Sequence, residues 1–385
     1  MNTSDVYEYV EQRNLIDDKF KSNVSQLYKK NARWIFPFYD FFARVVFFWL
    51  KPKNSKKYFF LGNRFTHLIT ALPKEDVCII GGPRQLLFCL KNNISYIPNG
   101  SFWKILSLGF DGAVGNELTA LSTKMSKMLA SLVNQSENAI IVVENDSLPL
   151  QRIFCNIAAD TGIKSVCIQH GLFQSKTDAK TIDGWKCNYF ICYDNNQKDV
   201  ITGLGISAEK IIIGGFYEPI NKVGNEQKNN PLRVCFLGQP WYRYGDAYKQ
   251  KYLSILEDVS AQFSRNEIEY YFKPHPWETD ASYLKEINNV FHGNMAEAIL
   301  SHDVFLSLTS TALLEVTMAG KVGIQIYDEL FACDNFETLG YAYTIKSEDI
   351  ESSVIKSIKN SPFTLEMPDF NNLVVQIKKL VKVNV

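Results

Sequence analysis

The chain lacks the signatures of several large enzyme and binding classes. Its 385 residues contain no C-x-x-C pair, no Asp-x-Asp pair, no P-loop, and neither a G-x-S-x-G nor a G-x-G-x-x-G motif. We therefore expect no bound metal and no cofactor, and the hydrolase, P-loop and dinucleotide-binding assignments have no motif to support them. Most of the eight cysteines lie in apolar runs, where reduced thiols behave as small hydrophobic groups.

The chain also has no excess of positive or of negative residues. Lys and Arg together number 41, as do Asp and Glu, so the formal net charge is zero. Nucleic-acid-binding proteins usually carry a basic excess or a basic face, so we expect no nucleic-acid partner. The 46% hydrophobic and 21% charged composition is typical of a soluble globular protein. The length suits two domains.

No secretory signal pattern and no uninterrupted membrane span is visible at the N-terminus. The most apolar stretch, Trp34 to Leu50, contains Pro37, Asp40 and Arg44 and only reaches the lower length limit for a span. It fits a buried helix, or an interfacial helix whose aromatic residues adjoin the basic run from Lys51 to Lys57. We predict a cytoplasmic protein, peripheral on the inner face of the cytoplasmic membrane in the second case, with an anionic membrane surface as an additional partner.

Short apolar runs rich in β-branched and aromatic residues predict buried strands. In the first half of the chain they are YFFLG, VCIIGG, SYIPN, AIIVVEN, SVCIQHG and YFICYD. Amphipathic segments lie between them, for example Leu118 to Leu132 and Leu150 to Thr161. Strand, helix and strand at this spacing predict βαβ units and a parallel sheet.

The pattern breaks and then restarts. Residues 217–231 are polar and aperiodic, which is typical of a linker. Beyond them, LRVCFLGQP, IEYYFKPHP, DVFLSLTS and VGIQIYD read as strands, with helices over Tyr248 to Phe263 and Thr311 to Ala319. We predict an α/β fold with two Rossmann-like parallel-sheet domains facing each other across a cleft. The domains are 1–216, with a helical N-terminal segment 1–57, and 232–385.

The sequence SLTSTALLEVTMAGK, from Ser307 to Lys321, indicates a phosphate site. A strand ends in a Ser/Thr cluster and a helix begins at once, so the hydroxyls of Thr309, Ser310 and Thr311 adjoin unpaired main-chain N–H groups. Glu315 lies about one turn into the helix and is placed to bind a ribose diol. The alternative interpretation is an ordinary helix cap with a solvated glutamate.

The sequence FKPHPWE places a histidine at the end of a strand in the second domain. Pro274 and Pro276 fix the backbone on both sides of His275, and side chains at the carboxyl ends of parallel strands face the ligand crevice. Lys273 is a candidate for holding phosphate. A turn histidine without function is the alternative.

Gly238 and Gln239 follow the first strand of the second domain. A glycine there permits a close approach of the backbone to a bound phosphate. We therefore count both residues as candidates for binding a phosphate-bearing ligand.

In the first domain, acidic and imidazole groups follow two strands. Glu144 and Asp146 come after AIIVVEN, and His170 follows Gln169 at the end of the next strand. One βαβ unit separates them, so adjacent strands bring them to the same edge. Any of the three is a candidate base for an acceptor hydroxyl, although Asp146 also fits a helix cap.

Two stretches of the chain resemble known transferases. Residues 189–216, YFICYDNNQKDVITGLGISAEKIIIGGF, resemble the end of the acceptor domain of GT-B glycosyltransferases. KPHP followed by SLTSTALLEVTMAGK and IQIYDEL resembles the donor domain of bacterial sialyl-, polysialyl- and Kdo-transferases, which use cytidine nucleotides. QHG with KPHP also resembles the CDP-glycerol-dependent glycerophosphotransferases of teichoic-acid synthesis. The resemblance covers residues 139–330.

The resemblance implies a metal-independent GT-B glycosyltransferase. It would move a nonulosonic acid from a CMP-sugar donor onto a glycan acceptor of a bacterial capsule or lipopolysaccharide. His275, Ser310 and Thr311 would bind the nucleotide, and Glu315 its ribose. The sialyltransferases carry their base in an acidic D/E-D/E-G motif, which only FDG, with Asp111, and IDG, with Asp183, approach here.

Three other functions fit the same residues. A polyol-phosphate transferase of the CDP-glycerol type would use His170 as its base. A UDP-sugar epimerase of the same fold would favour a uridine nucleotide. The third is a carbohydrate-binding or scaffold protein that kept the fold, and the strand-end groups count against it.

Overall fold

The computed structural model describes most of the chain beyond residue 50. The described residues are 45, 50–99, 101–102, 112–133, 138–145, 149–174, 185–223, 232–265, 268–278, 282–287, 289–331, 334–350, 355, 358, 363, 365 and 367–382. The chain divides into two compact units. The first comprises Met1–His170, Asp178–Pro219 and Pro368–Val385, and the second comprises Gly171–Thr177 and Ile220–Met367.

The first unit is built on a seven-stranded sheet. Its strands are β1 (Tyr58–Leu61), β2 (Val77–Gly81), β3 (Ser95–Pro98), β4 (Ile140–Val143), β5 (Lys164–Ile168), β6 (Tyr189–Cys192) and β7 (Ile211–Ile213). Their order is β3-β2-β1-β4-β5-β6-β7, and every neighbouring pair is parallel. The strands are almost wholly buried, which explains their continuous apolar sequences.

Helices connect these strands. They are α1 (Thr66–Ala71), α2 (Pro83–Asn92), α3 (Gly112–Leu132), α4 (Pro149–Thr161) and α5 (Asn195–Gly203). Local signals set their ends: Pro83 opens α2 at a position where no N–H is needed, and the Asp194 side chain accepts the Gln197 amide to cap α5.

The second unit has a five-stranded parallel sheet. Its strands are β8 (Arg233–Leu237), β9 (Glu269–Lys273), β10 (Val304–Ser307), β11 (Val322–Tyr327) and β12 (Tyr343–Lys346), in the order β12-β11-β10-β8-β9. The helices between them are α6 (Asp246–Arg265), α7 (Met295–Ser301) and α8 (Ala312–Met318). Two units with parallel sheets confirm the predicted α/β class.

The C-terminal helix α9 (Phe370–Val381) belongs to the first unit. Its apolar face, Leu373, Ile377 and Val381, is buried in the core that contains β1, β2 and β4. The Asn372 amide donates to the carbonyls of Ile213 and Gly214, at 3.2 and 3.1 Å. This differs from the predicted division, in which the second domain ran unbroken from 232 to 385, because the apolar face of α9 packs on the first sheet.

Among the described residues, no helix combines the length and apolarity that a membrane span requires. Nearly all of the predicted helical segment 1–57 and of the apolar stretch from Trp34 to Leu50 lies outside the described residues. Leu50 itself is buried in the core of the first unit.

Candidate functional site

Three side chains gather at the carboxyl edge of the first sheet. β1, β4 and β5 are neighbours there, and Arg64, Glu144 and His170 follow them along the chain. A guanidinium nitrogen of Arg64 lies 3.4 Å from a carboxylate oxygen of Glu144. The Nδ1 atom of His170 lies 2.8 Å from the main-chain oxygen of Glu144. The sequence thus predicted the neighbourhood of Glu144 and His170 but not Arg64.

The contact with Glu144 decides which nitrogen of His170 carries the proton. A carbonyl oxygen only accepts hydrogen bonds, so Nδ1 must be the protonated nitrogen. In the neutral ring, Nε2 then has a free lone pair. This is the form of histidine that removes a proton from a hydroxyl group.

The surroundings of His170 favour that neutral form. Burial, and after it the positive charge of Arg64, lower the pKa of His170 below its usual value. The Glu144 carboxylate and the hydrogen bond to the Glu144 carbonyl raise it to a smaller extent. We expect His170 to be unprotonated at neutral pH and available as a base.

Gln169 holds the strand end that carries His170. Gln169 is 1% exposed, and its side-chain oxygen accepts the Tyr193 main-chain amide at 3.0 Å. Its amide group donates to the Gln197 side chain. Gln169 is therefore a positioning residue between the ends of β5 and β6. Asp146, Asp111 and Asp183 lie outside the described residues.

In the second unit, three loops meet at the carboxyl edge of the sheet. They follow the neighbouring strands β9, β8 and β10, and they carry His275, Gly238 with Gln239, and the Ser/Thr cluster. The Gly238 amide donates to the Lys273 carbonyl at 2.8 Å, and the Ser307 hydroxyl donates to the Leu237 carbonyl at 2.8 Å. Hydrogen bonds therefore tie the three loops to one another.

His275 has the opposite tautomer to His170. Its Nδ1 accepts the Trp277 main-chain N–H at 3.1 Å, so in the neutral ring the proton must reside on Nε2. Burial, followed by the positive charge of Arg243, lowers the pKa of His275. A neutral His275 thus presents an Nε2–H donor, which suits the oxygen of a phosphate.

Glu278, which was not predicted as a site residue, fixes the His275 loop. Its side chain is 0% exposed and accepts the His275 amide at 2.7 Å and the Tyr252 hydroxyl at 2.9 Å. Tyr283 donates a further hydrogen bond. Burial raises the pKa of Glu278, and these hydrogen bonds oppose the rise. Its position in the sequence could have indicated this role, because a carboxylate three residues after His275 can accept the His275 amide across a turn.

The position of the Glu278 carboxylate requires a glycine at position 238. A Cβ atom at this position would lie 2.2 Å from Oε2 of Glu278 and 2.7 Å from the Phe272 ring. Glycine therefore leaves room for Glu278, and the predicted approach to a donor phosphate is not needed to explain it.

Gln239 and Thr309 are paired with each other. The Gln239 carbonyl oxygen accepts the Thr309 amide at 2.8 Å, and the Gln239 amide donates to the Thr309 hydroxyl at 2.8 Å. Both were predicted to bind the donor. In the structure they join the ends of β8 and β10 and thereby position the residues that follow.

Ser310, Thr311 and Glu315 lie at the start of α8. The Ser310 hydroxyl accepts the amide of Ala312, the first residue of the helix, at 3.2 Å, whereas the Thr311 hydroxyl accepts the Leu172 amide at 3.2 Å. Leu172 belongs to the segment Gly171–Thr177 of the second unit. Glu315 is half-buried on the first turn. The helix has only seven residues, so the hydroxyl groups and His275 are the main candidates for holding phosphate.

Lys273 is directed to a different partner. Its ammonium donates to the Gly293 carbonyl and lies 5.8 Å from the centre of the Phe291 ring. Burial lowers its pKa. The structure therefore does not group Lys273 with the phosphate-binding candidates.

Among the residues that the structure describes, no cluster of three or more His, Cys, Asp or Glu side chains is arranged to hold a metal ion. The described cysteines, which exclude Cys333, are all buried free thiols.

Solved structures share this arrangement of strands and helices. HepE of Anabaena, in complex with UDP and glucose, has a TM-score of 0.55 and 13% identity, covering 84% of this chain and 99% of its own. The UDP-GlcNAc 2-epimerase of Methanocaldococcus jannaschii has a TM-score of 0.53 and 12% identity over 84% and 99%. MnaA of S. aureus, solved with UDP, has a TM-score of 0.53 and 10% identity, covering 83% of this chain and 94% of its own.

These similarities show the fold, which is of the GT-B type. No protein-family model matches the chain, and the comparison with curated proteins gives no match.

Proposed function

We propose that the chain is a metal-independent glycosyltransferase that moves a nonulosonic acid from a CMP-sugar onto a glycan acceptor of the bacterial surface. The observation that carries this proposal is the pair of opposite histidine tautomers at the carboxyl edges of the two sheets. Glycosyl transfer needs a base for the acceptor and a hydrogen-bond donor for the departing phosphate. We assign the first role to His170 and the second to His275.

On the acceptor side, Nε2 of His170 takes the proton of the acceptor hydroxyl. The acceptor oxygen forms a bond to the anomeric carbon while the bond from that carbon to the phosphate oxygen breaks. Glu144, which is paired with Arg64, tunes the histidine and does not itself act as the base. General-base assistance of this kind is typically worth about 10²–10⁴-fold in rate.

On the donor side, CMP leaves with negative charge on its phosphate. The Nε2–H of His275 and the hydroxyls of Ser310 and Thr311 stabilise this charge, and Glu315 binds the ribose. The HP and Ser/Thr motifs support cytidine as the base of the donor. The reaction takes place in the cytoplasm, at the inner face of the membrane where surface glycans are assembled.

A UDP-sugar epimerase is the second candidate. The fold likeness to the UDP-GlcNAc 2-epimerase of M. jannaschii and to the UDP complexes of HepE and MnaA favours it. The two candidates differ in the nucleotide that they bind, so a binding measurement separates them.

Thermal unfolding with CMP, CDP, UDP and GDP tests the proposal, because a ligand that binds only the folded state raises its stability. We expect CMP to raise the melting temperature most, and His275→Ala to reduce the shift without lowering the melting temperature of the free protein substantially. A larger shift with UDP would favour the epimerase. Equal shifts with all four nucleotides would refute the cytidine assignment.

A further inference from the structure

The first unit contains a concave site away from the edge that carries His170. A cavity of about 380 Å³ is lined by residues that include Lys51, Lys53, Lys56, Lys74, Glu75 and Ser95. Lys56 lies just before β1, Lys74 and Glu75 lie just before β2, and Ser95 is the first residue of β3. The cavity therefore lies at the amino edge of the parallel sheet, opposite the edge that carries His170. We call it the lysine cavity.

The cations of the lysine cavity are poorly neutralised. Lys56 is 6% exposed and donates to the Glu75 main-chain oxygen, which carries no net charge. Within the described part of the chain, Lys51, Lys53 and Lys74 make no ion pair. Among the described residues that line the cavity, Glu75 is the only acidic one. Nearby, Lys57 and Asp76 neutralise each other at 3.6 Å.

Four ammonium groups around one concave space repel one another unless an anion lies between them. The remaining polar lining, Asn54, Asn93 and Ser95, offers amide and hydroxyl donors. Point-charge ammonium groups with neutral donors are a combination that binds phosphate oxygens. The whole chain has zero net charge, so this concentration of lysine is local.

We infer that the lysine cavity binds a phosphate-bearing ligand, at a site separate from the proposed donor and acceptor sites. The phosphate is either that of a membrane lipid headgroup or that of a water-soluble compound. The chain order bears on this choice, since the aromatic stretch from Trp34 to Leu50 directly precedes Lys51. Lysines beside such a stretch suit an anionic lipid surface.

Two assays on the full chain separate the two sources. The first is cosedimentation with vesicles of phosphatidylcholine alone or with added phosphatidylglycerol. The second is calorimetric titration with inorganic pyrophosphate. The test variant is Lys51→Gln/Lys53→Gln/Lys74→Gln, which leaves the buried Lys56 in place. The matched control, Lys124→Gln/Lys127→Gln/Lys210→Gln, removes the same charge from exposed lysines outside the cavity.

We expect the test variant to bind at least about tenfold more weakly than the control variant, because each lysine near an anionic surface contributes measurably to binding. The triple Lys→Arg variant at the same three positions should retain binding, and it also serves if the glutamine variant does not fold. Loss confined to vesicles with phosphatidylglycerol assigns the lipid headgroup. Loss confined to pyrophosphate assigns a soluble ligand. Absence of binding in both assays, or equal weakening in the control variant, would overturn the inference.

Discussion

In each of the two histidines at the strand ends, one main-chain group decides which ring nitrogen carries the proton. The Glu144 carbonyl fixes the proton of His170 on Nδ1, and the Trp277 amide fixes that of His275 on Nε2. Both rings are partly buried and have lowered pKa values, so both are neutral at physiological pH. One imidazole is thereby a proton acceptor and the other a hydrogen-bond donor.

Removing Arg64 and removing Glu144, the two partners of an ion pair, should move the pKa of His170 in opposite directions. Arg64→Gln removes a cation that disfavours the imidazolium and leaves the carboxylate unpaired, so the pKa should rise. Glu144→Gln does the reverse and should lower it. NMR titration of the imidazole C–H resonances reads the pKa directly in a chain with five histidines. Shifts of the same sign in both variants would contradict this electrostatic account.

Replacement of His275 should weaken nucleotide binding without unfolding the protein. His275→Ala removes the Nε2–H donor but leaves the Pro274 and Pro276 backbone and the buried Glu278 in place. A hydrogen bond to a charged group is worth about 1.5–3 kcal/mol, so we expect CMP affinity to fall roughly 10- to 100-fold. Isothermal titration measures it, with Trp277→Ala, which keeps the main-chain donor to Nδ1, as the control. Unchanged affinity for His275→Ala would show that the residue is only part of a turn.

At the scale of elements, short loops position the site and glycines permit the close contacts. Gln239 and Ser307 join the loops after β8 and β10, the Gly238 amide joins the first of these to the end of β9, and Glu278 holds the loop after β9. In the first unit, Gly215 has φ of +94° and lies against the chain that enters α9. The Phe216 amide donates to the Pro368 carbonyl at 3.3 Å.

Gly215→Ala should destabilise the first unit more than Gly205→Ala. Both glycines have positive φ, so either alanine costs about 1–2 kcal/mol in backbone strain. At Gly215 the new Cβ would also lie 2.2 Å from the Pro368 carbonyl oxygen, whereas at Gly205 nothing lies within 4 Å. Crowding of this kind typically adds about 1–3 kcal/mol. Urea unfolding of the two variants makes the comparison. Equal losses would mean that the contact with Pro368 relaxes without cost.

At the scale of the whole molecule, hydrophobic pattern was enough to predict the two parallel sheets. Buried parallel strands require continuous apolar runs, and runs such as AIIVVEN and VGIQIYD mark β4 and β11 directly. The edge strand β12 was not predicted, because its four residues, YTIK, are only partly buried and carry no such run.

Other features depend on contacts between distant parts of the chain, which a sequence pattern does not specify. The apolar face of α9, with Leu373 and Ile377, predicts that the helix packs on a core but not on which core. The tautomer of His170 depends on a carbonyl 26 residues earlier. Likewise, one of the groups that hold Glu278 in place is Tyr252, on a helix that precedes β9.

The most direct test of the proposed function is acceptor-dependent release of CMP from CMP-sugars by the wild-type protein and by His170→Gln, with CMP affinity measured in parallel. We perform it in EDTA because the proposed chemistry uses no metal. We expect the wild-type protein to be active and the variant to turn over about 10²–10⁴-fold more slowly with unchanged CMP affinity. Near wild-type turnover by His170→Gln, or wild-type activity that appears only when Mg²⁺ or Mn²⁺ is added, would contradict it.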